Sequence, residues 1–224
     1  MTPDQVRLFR LDGFTVLPTG VLPDALARMR IDAQRFLDTS GPDDPAATCW
    51  RLPSGETYLL KIKSVIRRSP AAQKIAGEVQ PQVERLLGTP ARLMDDKITY
   101  KQRVPWEPPD RVLDEEIRKH TDAAYYHQRG FGDPIITVAV CLDDCTAESG
   151  AVRVWPGTHR RDVPHLQTQL QGPVVPDEAA PDDSAMILEA PAGSVLAWDA
   201  RLVHSSRANR SGHLRRLLIL GYAR

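Results

Sequence analysis

His120-Thr121-Asp122 is the one place in this sequence where a histidine is followed two positions later by an acidic residue. On a strand that spacing sets both side chains on one face, about 7 Å apart, where they can converge on a single ion. With six histidines and 29 acidic residues in 224 positions, about one such pair arises by chance, and alone it reads as a surface hydrogen-bonded pair. A second histidine changes the weight. His204, in the run LVHSSRAN, is followed eleven residues on by Arg215. Two imidazoles and one carboxylate on a rigid β scaffold make a facial triad, which leaves three positions of an octahedral iron(II) open. Two of these could chelate a keto acid such as 2-oxoglutarate, and the third could take O2. The distal carboxylate of such a co-substrate needs a permanent cation in a fixed fork, which arginine offers better than lysine. Arg215 is the candidate. Two adjacent antiparallel strands joined by a short polar turn would bring it beside His204, with Arg216 directed to the opposite face.

The elements that must position these groups divide the chain in two. Thr2, Pro3 and Gln5 form a capping signature for a helix that Gly13 should end. A short β-prone run at 14–17 follows, then an amphipathic helix over 23–38 with Leu26, Met29, Ala33, Phe36 and Leu37 on its apolar face. A hairpin is expected from 48–52 and 57–62 around Pro53-Ser54-Gly55-Glu56, and a third helix over 71–87 should stop at Gly88. From Ala91 onward the texture becomes β-prone: RLMDDKITYKQR, PIITVAVCL, AVRVW, AMILEA, SVLAWDARLVH and RRLLILGYA. Several short strands with long connections and no intervening helices point to a mainly β double-sheet jelly roll, with the early helices covering one sheet. The expectation is one domain over 1–224, mostly helical in 1–90 and a jelly-roll core in 91–224. Pro-rich connections fall at 104–109 and 167–183, the second long enough for a lid or a surface loop.

Composition narrows the function classes. The 29 basic and 29 acidic residues cancel, so no global field favours nucleic acid or a membrane surface, and the expected partner is a small molecule. The first residues lack a signal-peptide pattern and no apolar run approaches the roughly 20 residues that span a bilayer, so a cytoplasmic location is expected. Cys49, Cys141 and Cys145 form no CxxC pair and are expected to be reduced, buried thiols. Oligomeric state has no sequence signal, since no heptad is present.

Four separate stretches resemble the phytanoyl-CoA dioxygenase superfamily of iron(II)/2-oxoglutarate oxygenases: DQVRLFRLDGFTVLPTGVLPDALARMR, HTDAAYY, CLDDCTAESGAVRVWPGTHR and PAGSVLAWDARLVHSSRANRSGHLRR. They agree with it in order and spacing across nearly the whole length. The resemblance implies iron ligation by His120, Asp122 and His204, and binding of the 2-oxoglutarate tail by Arg215 with help from Ser206. Asn209 would shape the turn, and Lys101 would make a polar contact to the co-substrate. It also implies oxidation of an unactivated C–H by hydroxylation, desaturation, epoxidation or ring closure, with succinate and carbon dioxide as co-products. A carboxylate at Asp122 disfavours halogenation, because related halogenases free that position for chloride. The charged pair Arg118-Lys119 before His120 departs from the family pattern, as does the short overall length.

Smaller expectations concern the surroundings. Tyr125, Tyr126 and His127 follow the metal strand, where family members line the pocket, and His159 sits at a Pro-Gly-Thr-His corner near the expected mouth; substrate contact competes there with a corner-stabilising hydrogen bond. Trp198 could point inward with His204 by alternation, or simply pack in the core. His165 and His213 read as solvated loop residues. Glu115 and Glu116 read as a solvated cluster that could attract a cationic substrate. The substrate expected is a small molecule of bacterial natural-product or antibiotic biosynthesis, with saccharides and aminoglycosides among the candidates. The rival reading keeps barrel and metal but makes a cupin-like isomerase, hydrolase or binding module, which would have no need for Arg215.

Overall fold

A computed structural model of the chain describes residues 1–51, 55–102, 117–169 and 171–224. The expected turn at Pro53 and Ser54, the Pro-rich 104–109 connection and the Glu115-Glu116 cluster lie outside the described residues. Helix α1 (Pro3–Asp12) opens on the capping box, with the Thr2 side chain accepting from the Gln5 amide and the Gln5 side chain accepting from the Thr2 amide. It ends at Gly13, whose φ of 85° lies in the left-handed region. Strand β1 (Phe14–Val16) follows, then α2 (Pro23–Thr39), the hairpin β2 (Ala47–Arg51) and β3 (Thr57–Lys63), and α3 (Pro70–Leu87). These agree with the sequence reading to within one or two residues.

The remaining elements are β4 (Arg92–Lys101), β5 (Ile117–His120), α4 (Asp122–Gln128), β6 (Ile135–Cys141), β7 (Val152–Val154), β8 (Leu166–Thr168), β9 (Gly172–Val174), β10 (Met186–Leu188), β11 (Val195–Asp199), β12 (His204–Ser206) and β13 (Arg215–Ala223). A seven-stranded sheet in the order β1-β11-β6-β13-β4-β3-β2 faces a four-stranded sheet in the order β10-β7-β12-β5. Paired strands within each sheet are antiparallel, and together the sheets make the expected jelly roll. The three strands expected in the early part, β1, β2 and β3, extend the large sheet at both edges.

Alternation along the large sheet separates two environments. Ile62, Ile98, Leu218, Leu220 and Tyr222 pack with Met29, Ala33, Phe36, Ile75, Val79 and Val83, so α2 and α3 cover the outer face. Leu196, Trp198, Cys141, Leu217 and Ile219 project the other way, into the space between the sheets. Arg216 follows the outer set, as expected: its guanidinium grips both oxygens of Asp143 at 2.8 Å, and Nη1 reaches the Arg30 carbonyl of α2 at 3.3 Å.

Three expectations are corrected. Asp122 does not continue the metal strand, because β5 ends at His120 and α4 begins at Asp122 with Thr121 as its N-cap. Strand β12 and strand β13 are not neighbours in one sheet; they belong to facing sheets, and 207–214 crosses between them. The stretch 167–183 is not a bare loop, since it contains all of the β8–β9 hairpin strands but Leu166, one short 3-10 turn and the start of a second. The three cysteines are free thiols, but Cys49 is only half-buried because β2 is an edge strand. No helix among the described residues is long and apolar enough to cross a membrane.

Replacing Asp143 by Ala strands the 10 % exposed Arg216 guanidinium without its bidentate partner. The expected cost is on the order of 3 kcal/mol, read as a lower urea midpoint at unchanged slope. A midpoint within error of wild type would show that this ion pair does not fasten α2 to the sheet.

Candidate metal centre and co-substrate pocket

Strand β12 pairs with β5 so that His204 lies directly opposite His120, and their ring centroids are 4.1 Å apart. Asp122 closes the group from the first turn of α4: its Oδ1 is 3.8 Å from His120 Nε2 and its Oδ2 is 3.6 Å from His204 Nε2. All three ligand atoms lie within 4.8 Å of one another. Donors each about 2.1 Å from one ion sit about 3 to 4 Å apart, so only small side-chain adjustments separate this cluster from a coordinating one.

The surroundings also suit a metal. His120 Nδ1 is 2.7 Å from the Arg118 carbonyl and His204 Nδ1 is 3.0 Å from the Leu202 carbonyl, so each ring donates through Nδ1 and turns a free Nε2 lone pair toward the cluster. Trp198 Nε1 donates to Asp122 Oδ2 at 3.0 Å. Burial and the nearby His204 push His120 well below the ordinary imidazole value. Burial would push the Asp122 carboxyl up, but His204, His120 and Lys97, with Thr137, outweigh it and hold it low. The result is a neutral imidazole beside an ionised carboxylate, the protonation state in which these groups ligate a cation.

Arg215 enters the same interior space from β13, opposite Lys101 of β4. It is 2 % exposed, and Nη2 donates to the Gly150 carbonyl at 3.1 Å and to Ser206 Oγ at 3.0 Å. Ser206 in turn donates to the same Gly150 carbonyl at 2.9 Å. No carboxylate pairs with this guanidinium among the described residues, and its Nε is buried without any hydrogen-bond partner. Burial therefore holds the group below its ordinary value. A buried arginine with an unused donor is the feature expected where an anionic ligand supplies the missing acceptor. Gly150 is required at its position: its φ is +77°, and a Cβ there would collide with the Arg207 carbonyl. Lys101 directs Nζ to the carbonyls of Ser206 and Arg207, and its own carbonyl accepts from Asn209 Nδ2 at 2.8 Å. It thus braces β12 beside Arg215, and Asn209 shapes the 209–213 turn as expected.

The aromatic candidates separate into different roles. The Tyr125 ring meets His120 edge-on with centroids 5.6 Å apart, and its hydroxyl donates to carbonyls at Gln171 and Pro173. Tyr126 packs with Ala123, Ile135, Ala200 and Ala223, while the Asp122 charge acts on its buried hydroxyl and Lys97 Nζ lies 5.9 Å from its ring centroid. His127 is exposed, with Nε2 3.4 Å from Asp133. Trp198 points inward beside His204, with centroids 5.1 Å apart, and spends its indole N–H on Asp122. His159 lies away from the triad: Nε2 is 3.2 Å from the Arg10 carbonyl, and the ring lines a groove of about 230 Å³ with Phe9, Asp199 and Arg201.

Several residues that position the site were missed. Thr137 sits beside Asp122 and helps lower it, and it is the sole polar residue in the run PIITVAVCL, a signal that could have marked it. His165 is not a solvated loop residue, because Nε2 is 2.9 Å from Thr121 Oγ1, between two of the ligands. Gln171 Oε1 accepts from the Arg118 amide at 2.9 Å. Farther along, Lys119 holds Asp177 at 2.8 Å and Asp182 at 2.6 Å, while Arg153 Nη1 is 3.5 Å from Asp182. The 165–185 segment is therefore fastened to the outside of the four-stranded sheet beside the metal strand.

The family model described as phytanoyl-CoA dioxygenase (PhyH) matches residues 9–217. L-proline trans-4-hydroxylase of Streptomyces griseoviridis is 29 % identical over 168 residues, covering 63 % of this chain and 58 % of that protein. A probable alpha-ketoglutarate-dependent hypophosphite dioxygenase of Stutzerimonas stutzeri is 27 % identical over 180 residues, covering 77 % of this chain and 56 % of the relative. The chain thus spans less than three fifths of the length of either relative. Among solved structures, the non-heme alpha ketoglutarate dependent carbocyclase SnoK from nogalamycin biosynthesis superposes with a TM-score of 0.74 at 20 % identity, over 99 % of this chain and 83 % of SnoK.

Replacing Trp198 by Phe keeps the ring but removes the donor to Asp122. Affinity for iron(II) should fall by about 10- to 100-fold, measured by anaerobic titration, with the far-UV spectrum unchanged. Equal affinity in the two proteins would show that the indole is only packing.

Proposed function

Because the chain belongs to the phytanoyl-CoA dioxygenase family, we propose that it is a non-haem iron(II) oxygenase that consumes 2-oxoglutarate and O2 to oxidise an unactivated C–H of a small molecule. The observation that carries this reading is the conjunction of a three-ligand cluster with a buried, carboxylate-free Arg215 in the same interior space. A metal site alone would serve the rival isomerase or hydrolase, which has no use for that arginine.

In this reading His120, Asp122 and His204 hold iron(II), which when bound couples oxidative decarboxylation of 2-oxoglutarate to substrate oxidation. For hydroxylation the balance is 2-oxoglutarate plus O2 plus R–H giving succinate, carbon dioxide and R–OH. Arg215 receives the distal carboxylate of the keto acid, Nε supplying the donor that is otherwise unused, and Ser206 helps to fix the guanidinium plane. Trp198 holds the Asp122 carboxylate in place. Leu217, Ile219 and Leu196 line the space and keep it poor in water. Tyr125 stands beside His120 at the side of the 171–173 backbone, where it can bound the substrate position.

The proposed substrate is a small biosynthetic molecule, and hydroxylation or ring closure is the proposed outcome. The support is a relative that hydroxylates L-proline and a fold neighbour named as a carbocyclase of nogalamycin biosynthesis. An Asp rather than a small residue at position 122 goes with oxygenation and against halogenation.

The purified chain with iron(II), 2-oxoglutarate and O2 should release succinate even without its true substrate, and His204→Ala should abolish that release. Arg215→Gln should weaken 2-oxoglutarate binding by about 100-fold while iron(II) still titrates, as followed by anaerobic calorimetry. Turnover that proceeds without O2, or wild-type protein that fails to bind 2-oxoglutarate, would return the isomerase or hydrolase reading.

A further inference from the structure

The chain has only six lysines against 23 arginines, yet four of the six, Lys61, Lys63, Lys97 and Lys101, fall on one face of two neighbouring strands. Register fixes which face. Lys61 is opposite Thr99 and Lys63 is opposite Lys97, while Thr99 and Lys97 are opposite Leu217 and Ile219 on β13. Leu217 and Ile219 belong to the interior cluster that contains Trp198, and the alternating residues Ile62 and Ile98 belong to the helix-covered face. The lysines therefore share the side of the sheet that carries the metal centre.

Lys101 is committed to the carbonyls of Ser206 and Arg207 beside Arg215. Lys97, four residues earlier, is about 13 Å from it along the strand, too far for one carboxylate to touch both Arg215 and Lys97. Lys97 Nζ lies 5.9 Å from the ring centroid of Tyr126, in the same short helix as Asp122, so it stands at the metal end of the space, and its charge acts on His120 and Asp122. Its only carboxylate among the described residues is Asp95, at 3.1 Å, which Arg129 also holds at 2.7 Å. Lys61 is half-buried and forms no ion pair among the described residues, although the Asp95 charge reaches it. Burial, with Lys97 and Lys63 alongside, pushes it down to about 8. An ammonium that burial and two like charges weaken, with one shared carboxylate opposing them, is costly to keep unless a ligand adds negative charge, and such groups concentrate at binding sites.

We propose that Lys61 and Lys97 form an oxyanion subsite, distinct from the Arg215 pocket, that holds a carboxylate or phosphorus oxyanion of the substrate beside the metal centre. This rests on the oxygenase reading and adds the charge class of the substrate to it. The subsite selects against neutral and cationic molecules and for acids whose oxidisable carbon lies close to the anionic group. The same anion relieves the repulsion between Lys61, Lys63 and Lys97.

The test uses the full chain loaded anaerobically with iron(II) and 2-oxoglutarate, with inorganic phosphate as probe. Phosphate should bind without displacing 2-oxoglutarate, and its 31P resonance should broaden through the paramagnetic metal. Lys61→Met and Lys97→Met should each weaken phosphate binding by about 10-fold or more, with Lys61→Arg retaining it and Lys74→Met, on the outside of α3, without effect. Separate titration of 2-oxoglutarate should be unchanged in Lys61→Met, Lys61→Arg and Lys74→Met; that arm reports on the oxygenase reading alone. In air, a panel of small acids should stimulate succinate release where their neutral amides or methyl esters do not, and comparison of carboxylates with phosphorus oxyanions identifies the source of the group. The proposal is overturned if phosphate competes with 2-oxoglutarate, if Lys61→Met binds phosphate as wild type does, or if neutral analogues stimulate equally.

Discussion

The antiparallel pairing of β12 with β5, in the register that sets His204 opposite His120, is the constraint on which the rest of the site depends. Side chains directly opposite in such a pair lie close together on the same face, so one register brings two imidazoles to 4.1 Å. A slip by one residue would turn His204 out of the interior and put Ser205, which supports Arg153 on the outside, in its place. The carboxylate is delivered differently. Strand β5 stops at His120 and the chain turns at once into α4, so Asp122 reaches the two rings from a helix N-terminus, where the helix dipole also favours its charge.

Charge inside the barrel is handled by two separate devices. Around the triad, every titrating group faces an oriented partner: carbonyls hold both Nδ1 atoms, and Trp198 holds Asp122. At the other end, Arg215 is supported among the described residues by neutral oxygens from Gly150 and Ser206, with no carboxylate paired to it. Asp143, whose carboxylate could have quenched Arg215, is engaged by Arg216 on the opposite face. The adjacent arginines thus divide one strand into a structural anchor facing α2 and a buried guanidinium with an unused donor facing the interior.

The outside of the small sheet carries a third charged group. Lys119 and Arg153, 8 % and 3 % exposed at their side chains, converge on Asp182 beneath the 175–185 segment, and Trp155 fixes the same segment through the Pro181 carbonyl at 2.7 Å. The departure at Arg118-Lys119 from the family pattern is thereby explained: Lys119 faces away from the metal and holds the segment whose hairpin, through Gln171 and Pro173, meets Tyr125.

Local features were legible because they are local. The capping box at Thr2, the stops at Gly13 and Gly88, and the apolar spacing of α2 and α3 are fixed by neighbours within four residues, and propensity and periodicity report such contacts directly. The residue types and order of His120, Asp122, His204 and Arg215 were legible for the same reason a lock's pins are, since the chemistry admits few substitutes. What tertiary structure alone decided was which strands face one another and which polar groups remain unused. Strand alternation misplaced Asp122 on β5 and paired β12 with β13, because nothing nearby in sequence encodes a sheet crossing. Trp198 and His165 gained roles, and His159 went to the α1 corner, because hydrogen-bond partners 44 to 149 residues away are chosen by packing. The gathering of Lys61 and Lys97 on the metal-facing side of β3 and β4 likewise exists only after two strands, 34 residues apart at their paired lysines, have met in register.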